Sequence, residues 1–257
     1  MSILTIHPLT EHGVARLSLA SGGGNPLTPE VLEALSKALD HLEANPPRAF
    51  VLDGGTGKLF SGGFDVVRIA PYGRDELNAF FGSFMRSLMR IITLPCPTVV
   101  AVHSTAIAGG FILCNGFDFR VVGTSSRIRM GLSEVNLGIA VPAGTQQIVA
   151  ERSSQQFARR ISMTGTLVDP QAALAAGWAD ELADDPQARA LAFATELARK
   201  PGDAVAVTKG FRAGGIARRV QAEEEAYMSD FLDSWMSDAG QAGLKMLVAK
   251  LTAPRGG

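Results

Sequence analysis

"TVVAVHSTAIAGGFILCNGFDFRVV" occupies Thr98 to Val122. A strand-like apolar run enters the stretch and another leaves it. Between them stand Gly109 and Gly110, followed by the hydrocarbon of Phe111, Ile112 and Leu113. A glycine pair loses conformational freedom on ordering, so it needs a compensating reason. An earlier stretch, "AFVLDGGTGKLFSGGFDVV", has the same grammar of strand, glycine loop and helix. The first N–H groups of a helix have no intrahelical partner and carry partial positive charge. Two such groups meeting at one point would hold a developing oxyanion. The alternative is that the glycines serve only turn geometry, and at this level both stay open.

Strands and helices alternate outward from this stretch. "ILTIHPL" and "VARLSLA" read as a hairpin turning at Glu11-His12-Gly13,. Thr28 and Pro29 open a helix with apolar residues at Val31, Leu32, Leu35, Leu39 and Leu42,. "DELNAFFGSFMRSLMRIITL" is a long amphipathic helix stopped by Pro95 and Pro97,. "FRVVG" and "RIRMG" read as strands, and "TQQIVAERSSQQFARRI" as helical. From about Asp169 the strand signal fades and helices alone are expected, packed outside the sheets or on a neighbouring subunit. The pattern is α/β: residues 1–168 form a strand-strand-helix core, and residues 169–257 a helical C-terminal part of the same folding unit.

Composition narrows the function. The chain has 257 residues, 46% hydrophobic and 19% charged, with a net charge of −1. It is globular, and a broad basic footprint for nucleic acid is not expected. No apolar run reaches the roughly 20 residues needed to span a bilayer. "MSILTIHPLTEHG" lacks the pattern of a signal peptide, and "APRGG" carries no retention or peroxisomal tripeptide,. Cys96 and Cys114 sit in apolar runs, which suggests reduced thiols and a cytoplasmic location,.

Several chemistries fit poorly. Leu59 stands where a phosphate loop needs Ser or Thr, and Phe60 where a dinucleotide fingerprint needs its third glycine,. His7, His12, His41 and His103 have no metal-ligand spacing, so no metal is expected,. His103 with Cys114 is better read as a histidine beside a structural cysteine than as a nucleophile pair. Glu223-Glu224-Glu225 reads as a solvated helix face. Glu134 is different, because Leu132, Val135, Leu137 and Ile139 surround it in sequence. A carboxyl among apolar groups is a better proton carrier near neutral pH. Otherwise Ser133 and Glu134 simply begin a surface turn.

Taken together, these blocks resemble the crotonase (enoyl-CoA hydratase/isomerase) superfamily over nearly the whole chain. "NPLTPEVLEAL", "FSGGFDV", "AVHSTAIAGGFILCNGFDFRV", "MGLSEVNLGIAVPAG" and "DPQAALAAGWADEL" are similar to its motifs, in order and at its spacing. The resemblance implies a crotonase-like spiral of ββα turns with a helical C-terminal part used in forming a homotrimer or a dimer of trimers. It implies an acyl-CoA thioester substrate, with coenzyme A part of that substrate and no separate cofactor. By position, the N–H groups of Phe64 and Gly109 would hold the thioester oxygen. Gly62, Gly63, Phe64, Asp65 and Val66, with Gly109 and Ile112, would line the site. Many hydratases of the family carry a glutamate at the position of Ile112 and a second at that of Glu134. With one acid replaced by hydrocarbon, the resemblance is nearer to the monofunctional Δ3-Δ2-enoyl-CoA isomerases. "GFILCNGFDFR", "GLSEVNLGI" and the bulky Phe64 point the same way. Another single-glutamate CoA-ester reaction, or a catalytically silent acyl-CoA binder, are the alternatives.

Overall fold

Apolar periodicity places most elements of the computed structural model, which describes residues 3–253. Met1, Ser2 and Pro254–Gly257, which include most of the "APRGG" tail, lie outside the described residues. β1 (Leu4–Ile6) and β2 (Val14–Leu19) form the N-terminal antiparallel pair, with Leu4 opposite Leu19. Thr28 caps α1 (Pro29–Ala44) by accepting the Val31 N–H at 3.3 Å. β3 (Ala49–Asp53) is buried along its length, as expected for an inner parallel strand covered on both faces,. α2 (Val66–Ile69), α3 (Arg74–Thr93), β4 (Thr98–Val102), β5 (Ala106–Ile107) and α4 (Gly109–Cys114) follow. Next come β6 (Phe119–Gly123), β7 (Met130–Gly131) and a 3-10 turn over Glu134–Leu137.

The main sheet has the order β1-β2-β3-β4-β6-β8, where β8 is Glu181–Ala183. From β2 onward every pairing is parallel. β5 and β7 pair in parallel as a second, smaller sheet. The strand pairs β4/β5 and β6/β7 each give one strand to each sheet, which is the strand-strand-helix spiral expected from the sequence. The pleat splits the apolar residues between two faces. Phe50, Leu52, Val100 and Val122 join the large core beneath α1 and α3. Val51, Val99, Ala101 and Val121 face the other way, against Ala190, Ala194 and Ala198. Those alanines repeat every four residues along the helix Pro186–Ala198, so its slim face lies close to the sheet.

The C-terminal elements differ from expectation in three places. The segment from 145 to 161 is two helices, α5 (Ala143–Arg152) and α6 (Gln155–Thr164), broken where Ser154 caps α6 through the Phe157 N–H. After α7 (Pro170–Ala175), the part beyond Asp169 contributes β8, so it is not helices alone. β8 escapes notice because it is a three-residue, half-buried edge strand without alternation; Asp180 also donates its N–H to Arg120 O at 3.0 Å. α8 (Pro186–Ala198), α9 (Gly202–Met236) and α10 (Asp238–Thr252) complete the chain. Of the tail residues Phe231, Leu232, Trp235, Leu244, Met246 and Leu247, which call for an apolar partner, the first four find it within this chain, while Met246 stays exposed and Leu247 half-buried. Glu224, expected on a solvated face, is buried and accepts the Gly144 N–H at 3.1 Å. It falls on the buried stripe of α9 with Ile216, Val220 and Phe231, and serves the N-terminus of α5, where Pro142 offers no side-chain acceptor,. Burial pushes the Glu224 carboxyl above the usual range, opposed by that hydrogen bond.

Candidate active site

Three segments run side by side. Ser61 bridges Ala106 in parallel, and Ala106 and Ile107 pair in parallel with Met130 and Gly131. All three leave this small sheet at the same end, toward Phe64, Gly109 and Glu134. Parallel neighbours lie about 4.8 Å apart, so the outer two rows are separated by roughly 10 Å, the span of a small acyl group.

The glycines give the close approach. Neither Gly109 nor Gly110 takes a left-handed φ; that angle falls on Ala108, at φ +49° and ψ −128°. A non-glycine residue held there costs about 1–3 kcal/mol, strain of the kind found at functional sites. Gly63, at φ +92°, lies so near that a Cβ on it would be 3.1 Å from Gly109 N. A Cβ on Gly109 would meet the Phe64 ring at 3.0 Å, and one on Gly110 would meet Ser61 at 2.6 Å. Packing, more than turn geometry, is therefore what requires the pair. Among the described residues, neither the Phe64 N–H nor the Gly109 N–H has a protein acceptor. Both belong to segments held in place by other bonds: Leu27 N–H to Gly63 O at 2.8 Å, Asp65 N–H to Leu27 O at 3.2 Å, and Ala108 N–H to Gly131 O at 2.9 Å.

Two positioning residues carry no site role in the sequence reading. Asn25, buried at φ +42°, donates through Nδ2 to Gly54 O and Phe60 O at 2.8 and 3.1 Å. Ser61 Oγ donates to Asn25 O at 2.7 Å and accepts the Gly63 N–H at 3.2 Å. The Asn-Pro-Leu triplet was the available signal. Because Ser61 is pinned this way, Gly110→Ala should destabilise the fold by about 1–3 kcal/mol through overpacking. Urea denaturation reads this directly. A shift within about 0.5 kcal/mol, ordinary for an unconstrained surface change, would show that the two loops do not interlock.

The other expected residues are distributed around this point. Gly62 donates its N–H to Gly24 O at 2.8 Å. Asp65 spends its carboxylate capping α2, on the Arg68 N–H at 3.3 Å, and Val66 begins that helix. Ile112 lies one turn after Gly109 on α4, only 2% exposed and within the continuous apolar core. The Phe64 ring makes edge contacts with Phe80, Phe81 and Phe84 of α3, and Phe81 continues to Phe231 and Trp235 of α9. His103 and Cys114 are not a pair. His103 Nε2 meets Gly57 O at 2.9 Å, while Cys114 Sγ donates to Gly110 O at 3.3 Å and burial pushes its thiol up.

Glu134 is a buried acid and not a surface cap. The residue is half-buried, but Oε2 is sealed from solvent and has no hydrogen-bond partner among the described residues. Burial pushes its carboxyl up to about 7, against the lowering effect of the Glu134 and Ser133 backbone N–H groups,. α10 closes over the turn: Gly243 lies against Leu137 O, and a Cβ on Gly138 would meet the Ala239 backbone at 3.0 Å. Ala140 N–H donates to Ser234 Oγ at 3.0 Å, tying the following segment to α9. The three converging segments thus carry a carboxyl that titrates near neutrality and two N–H groups without protein acceptors, with Ile112 as hydrocarbon one turn along α4.

A family model described as enoyl-CoA hydratase/isomerase matches residues 10–254. A putative enoyl-CoA hydratase of Thermus thermophilus is 35% identical over 190 residues, which are 72% of this chain and 74% of that protein. The mitochondrial enoyl-CoA delta isomerase 1 of Mus musculus is 27% identical over 251 residues, covering 95% of this chain and 86% of the relative. In fold, human mitochondrial delta3-delta2-enoyl-CoA isomerase matches with a TM-score of 0.90 at 23% identity, over 97% of this chain and 98% of that one.

Proposed function

The chain belongs to the enoyl-CoA hydratase/isomerase family, and from that premise we propose that it moves the double bond of a 3-enoyl-CoA thioester to the 2-position. The observation that carries this reading is Glu134: a carboxyl in no ion pair, with Oε2 sealed and titration at about 7, and Ile112 as hydrocarbon on the helix that starts at Gly109. Glu134 takes a proton from C2. The electron pair passes onto the thioester oxygen, held by the N–H groups of Phe64 and Gly109. The dienolate then accepts the same proton at C4, the C2–C3 bond becomes double and the C3–C4 bond single. No water enters, and a dry apolar wall keeps the intermediate from side reactions. The N–H donors stabilise charge that exists fully only in the dienolate, which favours the transition state over the ground state.

A second reading, hydration of a 2-enoyl thioester, is favoured by the Thermus thermophilus relative's name. Incubation with 3-hexenoyl-CoA and 2-hexenoyl-CoA, following double-bond migration and water addition, separates the two. We expect migration well above hydration, and efficient hydration by the wild type would overturn the isomerase reading. Ile112→Glu adds a second acid that can help orient water, so it should introduce weak hydration. The gain stays small because a carboxylate buried among hydrocarbon partly protonates. Assembly as a trimer or dimer of trimers is proposed on the same family premise. The chain's own apolar candidate for such a contact is Phe211, 81% exposed on α9 beside the exposed Val207. Light scattering that found a monomer at micromolar concentration would remove this part.

A further inference from the structure

A cavity of ligand size lies away from Glu134. It has a volume of about 550 Å³ and sits at the opposite end of the main sheet, between the start of α9 and the residues that lead into β4, β6 and β8. It shares no lining residue with the Phe64–Gly109–Glu134 site. The size is that of an ordinary ligand pocket, about 300–1,000 Å³.

The charges on its wall do not balance. Three carboxylates line it, and each already has a cation: Asp118 pairs with Lys209 at 2.8 Å, Asp180 with Arg120 at 2.8 Å, and Glu151 with Arg219. Three cations also line it that pair with no carboxylate among the described residues: Arg152, Arg212 and Lys200. Arg212 and Lys200 are exposed and can be solvated. Arg152 is half-buried and set deeper in the wall. Its one protein hydrogen bond runs from Nε to Asn115 O at 3.0 Å, which leaves both terminal nitrogens unengaged. Burial first, and the neighbouring Arg120 and Arg212 next, depress its proton affinity to about 10, opposed by Asp118 and Asp180. A half-buried guanidinium beside like charge, with no counter-ion and both terminal nitrogens open to the cavity, is a ready partner for an anion,. The remaining wall is hydrocarbon, including Leu197, Val205, Ala213 and Ile216.

From this we infer that the cavity is a second binding site, for an amphipathic monocarboxylate whose head pairs with Arg152 and whose short alkyl chain lies along α9. A single guanidinium with both terminal nitrogens unengaged matches a single carboxylate, which it can grip through two parallel N–H bonds,. A doubly charged phosphate without an apolar arm would leave the hydrocarbon wall unused.

The test is calorimetric titration of the full-length protein with octanoate, with octanamide as the uncharged control and inorganic phosphate as the anion without a chain. Octanoate should bind with sub-millimolar affinity, and octanamide and phosphate at least about tenfold more weakly, the loss expected when a charge-assisted hydrogen bond or the alkyl contact is missing. Arg152→Gln should weaken octanoate by about tenfold or more. Since Arg152 is half-buried and holds Asn115 O, its loss can disturb folding, so the exposed Arg212→Gln provides a second arm, with a smaller weakening and an unchanged melting temperature. The proposal is overturned if neither variant changes octanoate binding, if phosphate alone binds equally well, or if an acyl-CoA displaces octanoate and so places it at the thioester site. It also fails if octanoate does not bind and Arg212→Gln instead dissociates the assembly, since the cations would then serve a contact between subunits.

Discussion

Glu134→Gln should leave the chain folded and lower the isomerisation of 3-enoyl-CoA by on the order of 10³ or more, the upper part of what one positioned acid–base group contributes. Asp65, the carboxylate next to Phe64, is committed to the Arg68 N–H at the start of α2, so it does not replace Glu134. The pH dependence follows from burial. Glu134 must be ionised to take the C2 proton and titrates at about 7, so wild-type kcat/KM should rise with pH through that value. Stability should move in the opposite direction. The folded carboxyl lies at about 7 against 4.5 in the unfolded chain, so the unionised form is the one the fold prefers. Its stabilising contribution is complete below about 4.5 and is lost as pH rises through about 7. At pH 8 the cost of the ionised group reaches up to about 3 kcal/mol. Gln mimics the protonated acid, so the variant should outlast wild type in urea at pH 8 and converge with it toward pH 5. Turnover retained within about tenfold, or roughly 1.4 kcal/mol in barrier, would remove Glu134 from the proton path. A stability difference that ignores pH would mean that Oε2 is not desolvated.

What could be read from the residues follows the reach of each signal. Local signals carried the strands and helices: the Thr28 cap, the apolar stripe of α3 and the continuous runs of β3 and β4 are specified within a few residues of where they act. β8 was missed because three residues without alternation hold their place through pairing with β6. The break between α5 and α6 turns on one serine hydroxyl inside an otherwise helical pattern. Glu224 was misread by composition, although its spacing from Ile216, Val220 and Phe231 already placed it on the inner side of α9. The site itself was legible in parts only. Residues 61–64, 106–109 and 130–134 are brought together by parallel bridges that no local pattern reports. Family resemblance grouped them, while their own chemistry left the glycines and Glu134 each with two readings. The structure adds what no local pattern shows: Gly110 is needed because Ser61 is pinned against it, and Glu134 Oε2 is buried without a partner on a turn whose end packs against α10. The cavity around Arg152 lay beyond sequence reasoning altogether, since its walls come from residues between 97 and 216.

Gly109→Pro should lower kcat by 10²–10³, about 2.7–4 kcal/mol, by removing one of the two N–H donors. Proline is tolerated at the first position of a helix, where its missing N–H leaves no backbone bond unmade. Gly109 holds that position in α4 and its N–H serves no protein acceptor, so the helix does not need the bond that is lost. Two difficulties remain. Ala108, at φ +49° and ψ −128°, must shift toward the extended backbone that a following proline requires, so circular dichroism must show the variant folded,. The Phe64 ring is also close. A Cβ at Gly109 would lie 3.0 Å from two carbons of Phe64, so any side chain pushes on the residue that supplies the other donor. Gly109→Ala meets the same obstruction and keeps its N–H, which makes it the reference. Both variants should lose about 1–3 kcal/mol of stability to overpacking, and both should move Phe64 by the same mechanism. Only the proline variant should lose the further 10²–10³ in kcat. The difference between the two rates, not either rate alone, measures the donor. KM should differ little between them, because a neutral thioester carbonyl draws less on an N–H than the dienolate oxygen does. Equal rates for the two variants would leave Gly109 as a packing residue only, and the thioester oxygen would then have to be stabilised from elsewhere on the chain.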